Sequence, residues 1–366
     1  MEETIDITEN NENVLDLENQ NFQDDALLSR YGVVVFFILF VSLFASTLFI
    51  FKNTEDGGAF AKEDESTQNI QNASVFDIPI IEEEDEIIPV KVVLYKDPFE
   101  NIKLEAQSVY VLDTVTGKTL YERNKNTRRP LASLTKAMTA LVATEVIRSN
   151  DLVSITALDV KEEGNSGLLL GEKWKFSNLL DFTLMTSSND GASAIASVAG
   201  AFSVKKGTTT IPQNPKEIFV EKMNEQAEEL NLTRMEFFNE SGLDLNDTQS
   251  GAYGTAEEVA ALFEYILKNN PDLMEATVYE TLDFNSQNNI IHTAKNTNEF
   301  VESYPGLLMS KTGYTNLAGG NLAVAFDSGI GTPVIIVVLG STIDGRFEDV
   351  MKLYEASLEE INQGMY

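Results

Sequence analysis

The part of the chain that follows residue 105 begins with alternating apolar and polar positions, the pattern of a half-buried strand. Residues 108–113 fit this pattern, Thr116 and Gly117 can turn the chain, and residues 119–121 can return as a second strand. The pattern predicts a β-hairpin near the start of the folded part of the protein.

Helical spacing of apolar residues begins after Pro130, which disfavours helix at the position before it. The spacing predicts a helix that starts near Ser133 and continues to about Ile147. Further helices are predicted over residues 176–185, in an alanine-rich segment closed by Gly200, and over residues 217–230, 255–269 and 347–361. Strand-like apolar runs are found at residues 307–311, 321–326 and 334–339.

Strands therefore lie at both ends of a mostly helical middle region. This order predicts an α+β domain whose sheet joins distant parts of the sequence. We assign the folded domain to residues 105–366.

A different hydrophobic pattern, with no period, covers residues 31–51. These residues carry no charge, are bounded by Arg30 and Lys52, and are numerous enough to cross a bilayer as a helix. We predict an uncleaved transmembrane anchor, because the signal-like Ala-Phe-Ala site that ends at Ala61 lies about ten residues beyond the apolar run. The flanking charges balance and do not indicate an orientation.

The charge of the chain is strongly negative and unevenly distributed. A formal net charge of −32 in 366 residues argues against binding to nucleic acid through its phosphates. Acidic side chains are dense in residues 1–30 and again in residues 52–104, which include the run from Glu82 to Glu86. These compositions predict a disordered tail and an extended acidic linker on the two sides of the membrane segment.

Two residue types are nearly or completely missing from the sequence. The chain has no cysteine, which excludes disulfides, thiolate nucleophiles and cysteine metal sites. His292 is the only histidine, so a multi-histidine metal site is excluded and a Ser-His-Asp triad is not expected.

The first candidates for chemistry are Ser133 and Lys136, at the predicted start of a helix. Residues three apart share one face of a helix, and the positive end of the helix dipole favours developing negative charge. A hydroxyl group with an amine one turn away can act as a nucleophile and its base. Taken alone, however, a serine at a helix start is more typical of a simple cap.

Two further motifs change this interpretation. Ser187-Ser188-Asn189 stands in the polar break between two predicted helices, and Lys311-Thr312-Gly313 ends a predicted strand. In the order Ser-x-x-Lys, Ser-x-Asn, Lys-Thr-Gly, about 50 and then about 120 residues apart, the set resembles the penicillin-binding and serine β-lactamase superfamily. The flanking sequences PLASLTK, SSND, SGLD and KTGYT narrow the resemblance to the D-alanyl-D-alanine carboxypeptidases of peptidase family S11, over residues 105–361.

The resemblance implies the β-lactamase/DD-peptidase-like fold, an antiparallel sheet flanked by helices beside a mostly helical subdomain, with the site between them. It also implies removal of the terminal D-alanine from peptidoglycan stem peptides ending in D-Ala-D-Ala, through an acyl-enzyme. This reaction needs no cofactor and no metal, and β-lactam antibiotics should acylate the same serine. The catalytic domain would then lie on the extracytoplasmic face of the cell membrane, with residues 1–30 inside.

The motif residues suit distinct steps of such a reaction. Ser133 is the expected nucleophile, and Lys136 can be its base if burial, the helix N-terminus and the nearby Lys311 keep the amine neutral. Ser187 can pass a proton to the leaving amine. Asn189 can either orient Lys136 or hydrogen-bond the substrate amide.

The Lys-Thr-Gly motif suits recognition of the substrate's end. Lys311 and Thr312 match a free carboxylate, and Gly313 would let the substrate backbone approach the strand. The resemblance maps the two oxyanion-binding N–H groups to Ser133 and Tyr314, a position where many relatives have histidine.

Two assignments stay open at this stage. Arg346 matches a family arginine that helps to bind the terminal carboxylate, but it could equally be a surface residue at a helix start. Ser188 is often glycine in relatives, and its side chain is expected to narrow the site slightly.

Three other functions are alternatives to the carboxypeptidase. A DD-endopeptidase would use the same motifs. A class A β-lactamase would need a Glu-x-x-Leu-Asn segment, and here Leu230 and Asn231 follow Ala227 in the place of that glutamate. A non-catalytic β-lactam or peptidoglycan sensor is the third alternative, and the intact motifs favour an enzyme over it.

Overall fold

A computed structural model of the protein describes residues 95–203, 214–329 and 331–363. The predicted acidic tail, the predicted transmembrane segment 31–51 and residues 52–94 of the predicted linker lie outside these ranges. Among the helices in the described ranges, none is both long and apolar enough to span a membrane.

The predicted hairpin and the strand-like runs form one antiparallel sheet of five strands. With strands numbered in chain order, the order across the sheet is β10 (Leu307–Thr315), β11 (Gly319–Asp327), β12 (Pro333–Ser341), β1 (Ser108–Asp113) and β2 (Thr119–Arg123). Residues near the start of the domain pair with residues near its end, as Ser108 lies opposite Leu339 and Asp113 opposite Val334. This arrangement confirms the predicted α+β class and the joining of distant segments. The other strands of the described ranges are β3 (Arg129–Pro130), β4 (Leu152–Ser154), β5 (Lys173–Lys175), β6 (Glu236–Phe237), β7 (Ala252–Gly254), β8 (Thr281–Asn285) and β9 (Ile291–Lys295).

The central strand β12 is covered on both faces, which explains its nearly continuous apolar sequence. Ile335 and Val337 belong to a core shared with the helical part of the domain, whereas Ile336 and Val338 belong to a core on the opposite face of the sheet. Burying each such side chain contributes about 1.5–3 kcal/mol. The helices of the described ranges are α1 (Thr135–Val146), α2 (Phe176–Thr186), α3 (Asn189–Ser203), α4 (Pro215–Glu229), α5 (Ala256–Asn269) and α6 (Gly345–Asn362).

Helix α6 covers one face of the sheet with Phe347, Val350 and Leu353. Helix α5 lies on the other face, and its start is fixed by Thr255, whose hydroxyl accepts a hydrogen bond from the Glu258 N–H at 3.2 Å. A threonine in this position satisfies one of the free N–H groups of the first turn. The sheet is thus held between helices on both sides.

Helix α1 is buried on all sides over its first nine residues. Its apolar residues Met138, Leu141 and Val142 pack into the large core, as their spacing predicts. Because the helix has no solvent-facing side there, its polar residues Lys136 and Thr139 are buried too. Buried polar groups need hydrogen-bond partners, so the partners of Lys136 define the site described below.

Two features of the structure differ from the sequence-based prediction. The hairpin β8–β9 was not predicted: β8 alternates polar and apolar residues, but β9 does not, and each strand has only one buried side chain. The chain also makes tertiary contacts before Glu105, the predicted first residue of the folded domain. The Tyr95 hydroxyl donates to Glu360 Oε2 of α6 at 2.7 Å, and the buried Phe99 ring stacks on Tyr121 at 5.5 Å.

Candidate active site

Ser133 lies in a single 3₁₀ turn, Ala132–Leu134, that leads into α1. The turn has no side-chain cap hydrogen bond, so Ser133 does not act as a helix cap. Ala132 adopts a left-handed backbone conformation, with φ of 49°, immediately before the serine. The half-buried Ser133 hydroxyl accepts a hydrogen bond from the Lys136 amine, with 2.9 Å between Nζ and Oγ.

Lys136 is fully buried, and its amine has three oxygen partners. Nζ lies 2.9 Å from Ser133 Oγ, 2.7 Å from Asn189 Oδ1 and 2.9 Å from the Ser241 carbonyl. Burial lowers the pKa of Lys136 to about 7, and the negative charge of Glu240 opposes part of this shift. A lysine with this pKa exists in both protonation states near neutral pH, as a general base requires.

The break between α2 and α3 places the second motif beside this amine. Ser187 ends α2 in a left-handed conformation, with φ of 58°, and Asn189 begins α3. The Asn189 amide is held at both ends, because its Nδ2 donates to the Glu163 carbonyl at 2.6 Å. Of the two predicted roles, this geometry supports orientation of Lys136, since the Asn189 NH₂ group already has a protein partner.

Ser188, the middle residue of this motif, does not narrow the site as expected. Its side chain is buried, and its hydroxyl lies 2.7 Å from Ser166 Oγ and accepts a hydrogen bond from the Gly191 N–H. The side chain therefore links α3 to the loop that precedes β5. Its role is to hold that loop, and the expectation of a narrowed site is wrong.

Lys311 extends from β10 towards Ser187 and is also fully buried. Its amine donates to Ser187 Oγ at 2.8 Å and to the Thr312 carbonyl at 3.0 Å, and within the described residues it contacts only these two neutral oxygens. Burial first, and then the positive charges of Lys136 and Arg346, lower the pKa of Lys311 well below its usual value. A buried amine without a counter-ion is a suitable binding group for an incoming anion, because the charge of the anion favours the protonated form of the amine.

Thr312 adds a hydroxyl group to the same strand, close to Lys311. Its Oγ1 lies 2.6 Å from Thr297 Oγ1, a residue of the Asn-Thr-Asn sequence that follows β9. Sequence reasoning did not assign a role to Thr297. Either hydroxyl can be the donor in this contact; if Thr297 donates, the single proton of the Thr312 hydroxyl stays free for a substrate.

The backbone of β10 passes close to the segment of the nucleophile at Gly313. A Cβ atom at this position would lie 3.0 Å from the Leu131 carbonyl oxygen and 3.1 Å from the Ser133 nitrogen. The missing side chain therefore lets β10 approach the backbone of the nucleophile. β10 is the edge strand of the five-stranded sheet, and on its outer side the Ser310 N–H already donates to Thr277 Oγ1 at 3.0 Å.

We expect Gly313→Ala to lower kcat/KM by up to about 100-fold, because small displacements of the nucleophile are costly. The added methyl group would push the Ser133 segment away from β10 by a few tenths of an ångström. Thermal unfolding of the variant, measured beside its kcat/KM, separates this local effect from loss of the fold. A kcat/KM equal to that of the wild type would show that the close approach is unimportant.

Arg346 is buried in the first turn of α6, so the alternative of a surface arginine is wrong. Its guanidinium donates from Nη1 to the Gly313 carbonyl at 2.8 Å and lies 4.7 Å from the centre of the Phe347 ring. Burial lowers its pKa, although an arginine remains charged in proteins. The structure places Arg346 beneath the Lys-Thr-Gly strand, adding positive charge to the region of Lys311.

The two assigned oxyanion donors come from adjacent segments. The Ser133 nitrogen is the atom nearest the missing Gly313 side chain after the Leu131 carbonyl oxygen, and Tyr314 directly follows Gly313. Tyr314 itself is 46% exposed. Exchange of the usual histidine for tyrosine therefore changes an exposed side chain and leaves the backbone N–H group in place.

The chain matches the family model described as D-alanyl-D-alanine carboxypeptidase, peptidase family S11, over residues 95–342. It is 30% identical to D-alanyl-D-alanine carboxypeptidase DacF of Bacillus subtilis, over 70% of this chain and 63% of the relative, and so spans less than two thirds of that protein. It is 31% identical to DacB2 of Mycobacterium tuberculosis, over 66% and 77% of the two chains. Penicillin-binding protein D2 of Listeria monocytogenes, in its ampicillin-bound form, superimposes with a TM-score of 0.58, at 25% identity over 70% of this chain and 98% of the relative. The motif geometry and these matches agree, and the chain belongs to the D-alanyl-D-alanine carboxypeptidases of peptidase family S11.

Proposed function

We propose that the protein is a serine-type D-Ala-D-Ala carboxypeptidase that removes the terminal D-alanine from peptidoglycan stem peptides. The observation that carries this proposal is the buried amine of Lys136, hydrogen-bonded to Ser133 Oγ and oriented by Asn189. A second buried amine, Lys311, lies across Ser187 from it. The first amine can remove a proton from the nucleophile, and the second can bind the carboxylate of a chain end.

The reaction begins when Ser133 Oγ attacks the carbonyl carbon of the penultimate D-alanine and neutral Lys136 takes the hydroxyl proton. The oxyanion that forms is stabilised by the N–H groups of Ser133 and Tyr314. As the C–N bond breaks, Ser187, which contacts Lys311, passes a proton to the leaving amine of the last D-alanine, and the proton taken up by Lys136 restores the Ser187 hydroxyl. Water then attacks the acyl-enzyme, giving a shortened peptide and free Ser133.

The substrate carboxylate binds to Lys311 and Thr312. An added negative charge raises the pKa of Lys311, because it offsets the burial and the repulsion by Lys136 and Arg346 that lower it in the free protein. Arg346 contributes its charge from beneath the strand while its Nη1 stays on the Gly313 carbonyl.

We expect Lys311→Met to lower kcat/KM for a peptide ending in D-Ala-D-Ala by about 100- to 1000-fold, since a buried charged hydrogen bond is lost. The same substitution should change the reaction with the corresponding C-terminal amide far less, because the amide has no charge to bind. Measuring kcat/KM for both peptides on the wild type and the variant gives the coupling free energy between Lys311 and the substrate carboxylate. Equal losses on both peptides would contradict the assignment of Lys311 to the carboxylate.

β-Lactams should acylate Ser133 by the same chemistry, with the lactam carbonyl in place of the peptide carbonyl. The likeness to a Listeria protein with ampicillin bound supports this part of the proposal. The acyl group that the β-lactam leaves on Ser133 is large, and its size then slows the attack of water on the acyl-enzyme.

The activity is tested by incubating the protein with a pentapeptide that ends in D-Ala-D-Ala and measuring released D-alanine. Release of one D-alanine per peptide supports the carboxypeptidase. Cleavage only of crosslinked dimeric stem peptides would favour an endopeptidase, and acylation by penicillin without turnover of any peptide would favour a sensor.

We further propose that residues 31–51 anchor the protein in the cell membrane, with residues 105–366 outside and residues 1–30 inside. The apolar run supports this assignment, and the wall-peptide substrate requires an extracytoplasmic site. Protease added to intact cells should remove the folded domain and spare the N-terminal tail. Protection of the folded domain would contradict the orientation.

A further inference from the structure

A second cluster of charged side chains, outside the three motifs, lies in the helical part of the domain. Lys216, in the first turn of α4, donates to Glu162 Oε1 at 2.8 Å, to Glu240 Oε1 at 3.1 Å and to Ser193 Oγ at 3.1 Å. Only 6% of the Glu240 side chain is exposed. Loss of one member of so buried a pair leaves the other charge uncompensated.

The fold fixes the position of Lys216. The Lys216 N–H donates to the side chain of Asn214, which caps α4, and Pro215 occupies the first helical position. A Cβ atom at Gly200 would lie only 1.8 Å from the Pro215 carbonyl oxygen, so α3 and the start of α4 are in direct contact. Lys216 therefore lies in a helix start that packs directly against α3, and a quarter of its side chain is exposed.

Glu240 connects Lys216 to the motif lysine. The next residue, Ser241, supplies the backbone carbonyl that accepts a hydrogen bond from Lys136. The Glu240 carbonyl in turn accepts a hydrogen bond from Thr139, one turn further along α1, at 2.7 Å. A change in the position of Glu240 would therefore displace the two backbone carbonyls, of Glu240 and Ser241, that accept hydrogen bonds from α1.

Glu162 connects Lys216 to Asn189 of the second motif in a similar way. The next residue, Glu163, supplies the carbonyl that holds the Asn189 amide at 2.6 Å. Lys216 thus binds two carboxylates, and each of them directly precedes a carbonyl that holds a motif side chain. None of the three motifs includes Lys216, Glu162 or Glu240.

We propose that Lys216 is a positioning residue of the active site, which holds Glu162 and Glu240 and through them the backbone carbonyls that orient Asn189 and Lys136. This inference rests on the proposed function, because it assigns Lys216 a role in the acylation of Ser133. Lys216 does not touch the nucleophile or the substrate site.

The cluster of Lys216, Glu162 and Glu240 also affects how readily Lys136 is protonated. Burial disfavours the ammonium form of Lys136 and the negative charge of Glu240 favours it, whereas the charge of Lys136 lowers the pKa of Lys311 on β10. Lys216 remains charged, because Glu240 and Glu162 raise its pKa by more than burial lowers it. Without Lys216, the negative charge of Glu240 is no longer balanced and stabilises the Lys136 ammonium more strongly. Less of the neutral base is then present at a given pH.

The test measures the second-order rate of acylation by benzylpenicillin as a function of pH. In Lys216→Met we expect the acid limb of this profile to move to higher pH by about one unit. At a pH below the midpoints of both profiles, acylation of the variant is then about tenfold slower than acylation of the wild type. In Glu240→Gln the limb should move to lower pH, because the charge that favours the ammonium form is removed while Lys216 keeps Glu162 as a partner.

Lys216→Arg should keep the wild-type limb, since it preserves the charge, and Lys222→Met on the same helix serves as the matched control. A purely structural role would lower the melting temperature in both variants without moving the limbs in opposite directions, and that result would overturn the inference. If Lys216→Met does not fold, Glu240→Gln and Lys216→Arg decide the matter. Wild type that is not acylated at any pH would contradict the proposed function itself.

Discussion

Replacing Ser133 with alanine is expected to abolish acylation by penicillin and to lower D-alanine release by about a millionfold. The hydroxyl of Ser133 is the group hydrogen-bonded to the buried Lys136 amine, so its removal leaves the base with no proton to take. Residual catalysis would come only from binding and from the oxyanion donors. The change removes one oxygen atom from a half-buried side chain, and the fold should tolerate it.

The measurement is labelling with a fluorescent penicillin, followed on a denaturing gel, together with release of D-alanine from a pentapeptide. Ser149→Ala, on an exposed turn after α1, is the matched control and should behave like the wild type. A Ser133→Ala variant that is labelled as strongly as the wild type would place the nucleophile elsewhere.

Replacing Lys136 with arginine or methionine is expected to lower the acylation rate by about 10³- to 10⁴-fold. Arginine keeps the positive charge but remains protonated at any working pH, so it cannot accept the proton of Ser133. Methionine keeps much of the volume and has no basic group. If the amine acted only through its charge, arginine would retain most of the rate and methionine would lose it.

The same assignment predicts how the wild-type enzyme responds to pH. Because the neutral amine is the active form and burial lowers its pKa to about 7, kcat/KM should rise with pH through a midpoint near 7. Lys268→Met, an exposed lysine near the end of α5, is the control and should leave the profile unchanged. A profile that is flat between pH 5 and 9 would be inconsistent with Lys136 as the base.

The parts of the fold that sequence predicted are those governed by local periodicity. The alternation in residues 108–113 and the helical spacing after Pro130 both correspond to elements of the structure. The hairpin β8–β9 was missed, because the alternation in Thr281–Asn285 is not matched in its partner Ile291–Lys295 and each strand buries a single side chain. The predicted membrane segment 31–51 lies outside the described residues and stays a prediction.

The site was predicted through its motifs, and the distances now give those motifs a physical basis. Residues that act through tertiary contacts left no such signal. Lys216 and Glu162 are 54 positions apart, and their pairing depends on how α4 packs against a loop. Gly313 was expected to admit the substrate backbone, which stays a prediction, and the structure adds that its missing side chain also faces the backbone of Ser133. Sequence spacing cannot distinguish these two uses of one glycine.

The most direct test of acyl-enzyme chemistry at Ser133 is mass spectrometry of the protein after a short reaction with benzylpenicillin. Trypsin should release residues 129–136 as one peptide that contains both Ser133 and Lys136. The proposed mechanism predicts an added mass of one opened penicillin on this peptide, with fragment ions that locate it at Ser133. A modification at any other residue, or an unmodified peptide from active protein, would contradict the mechanism.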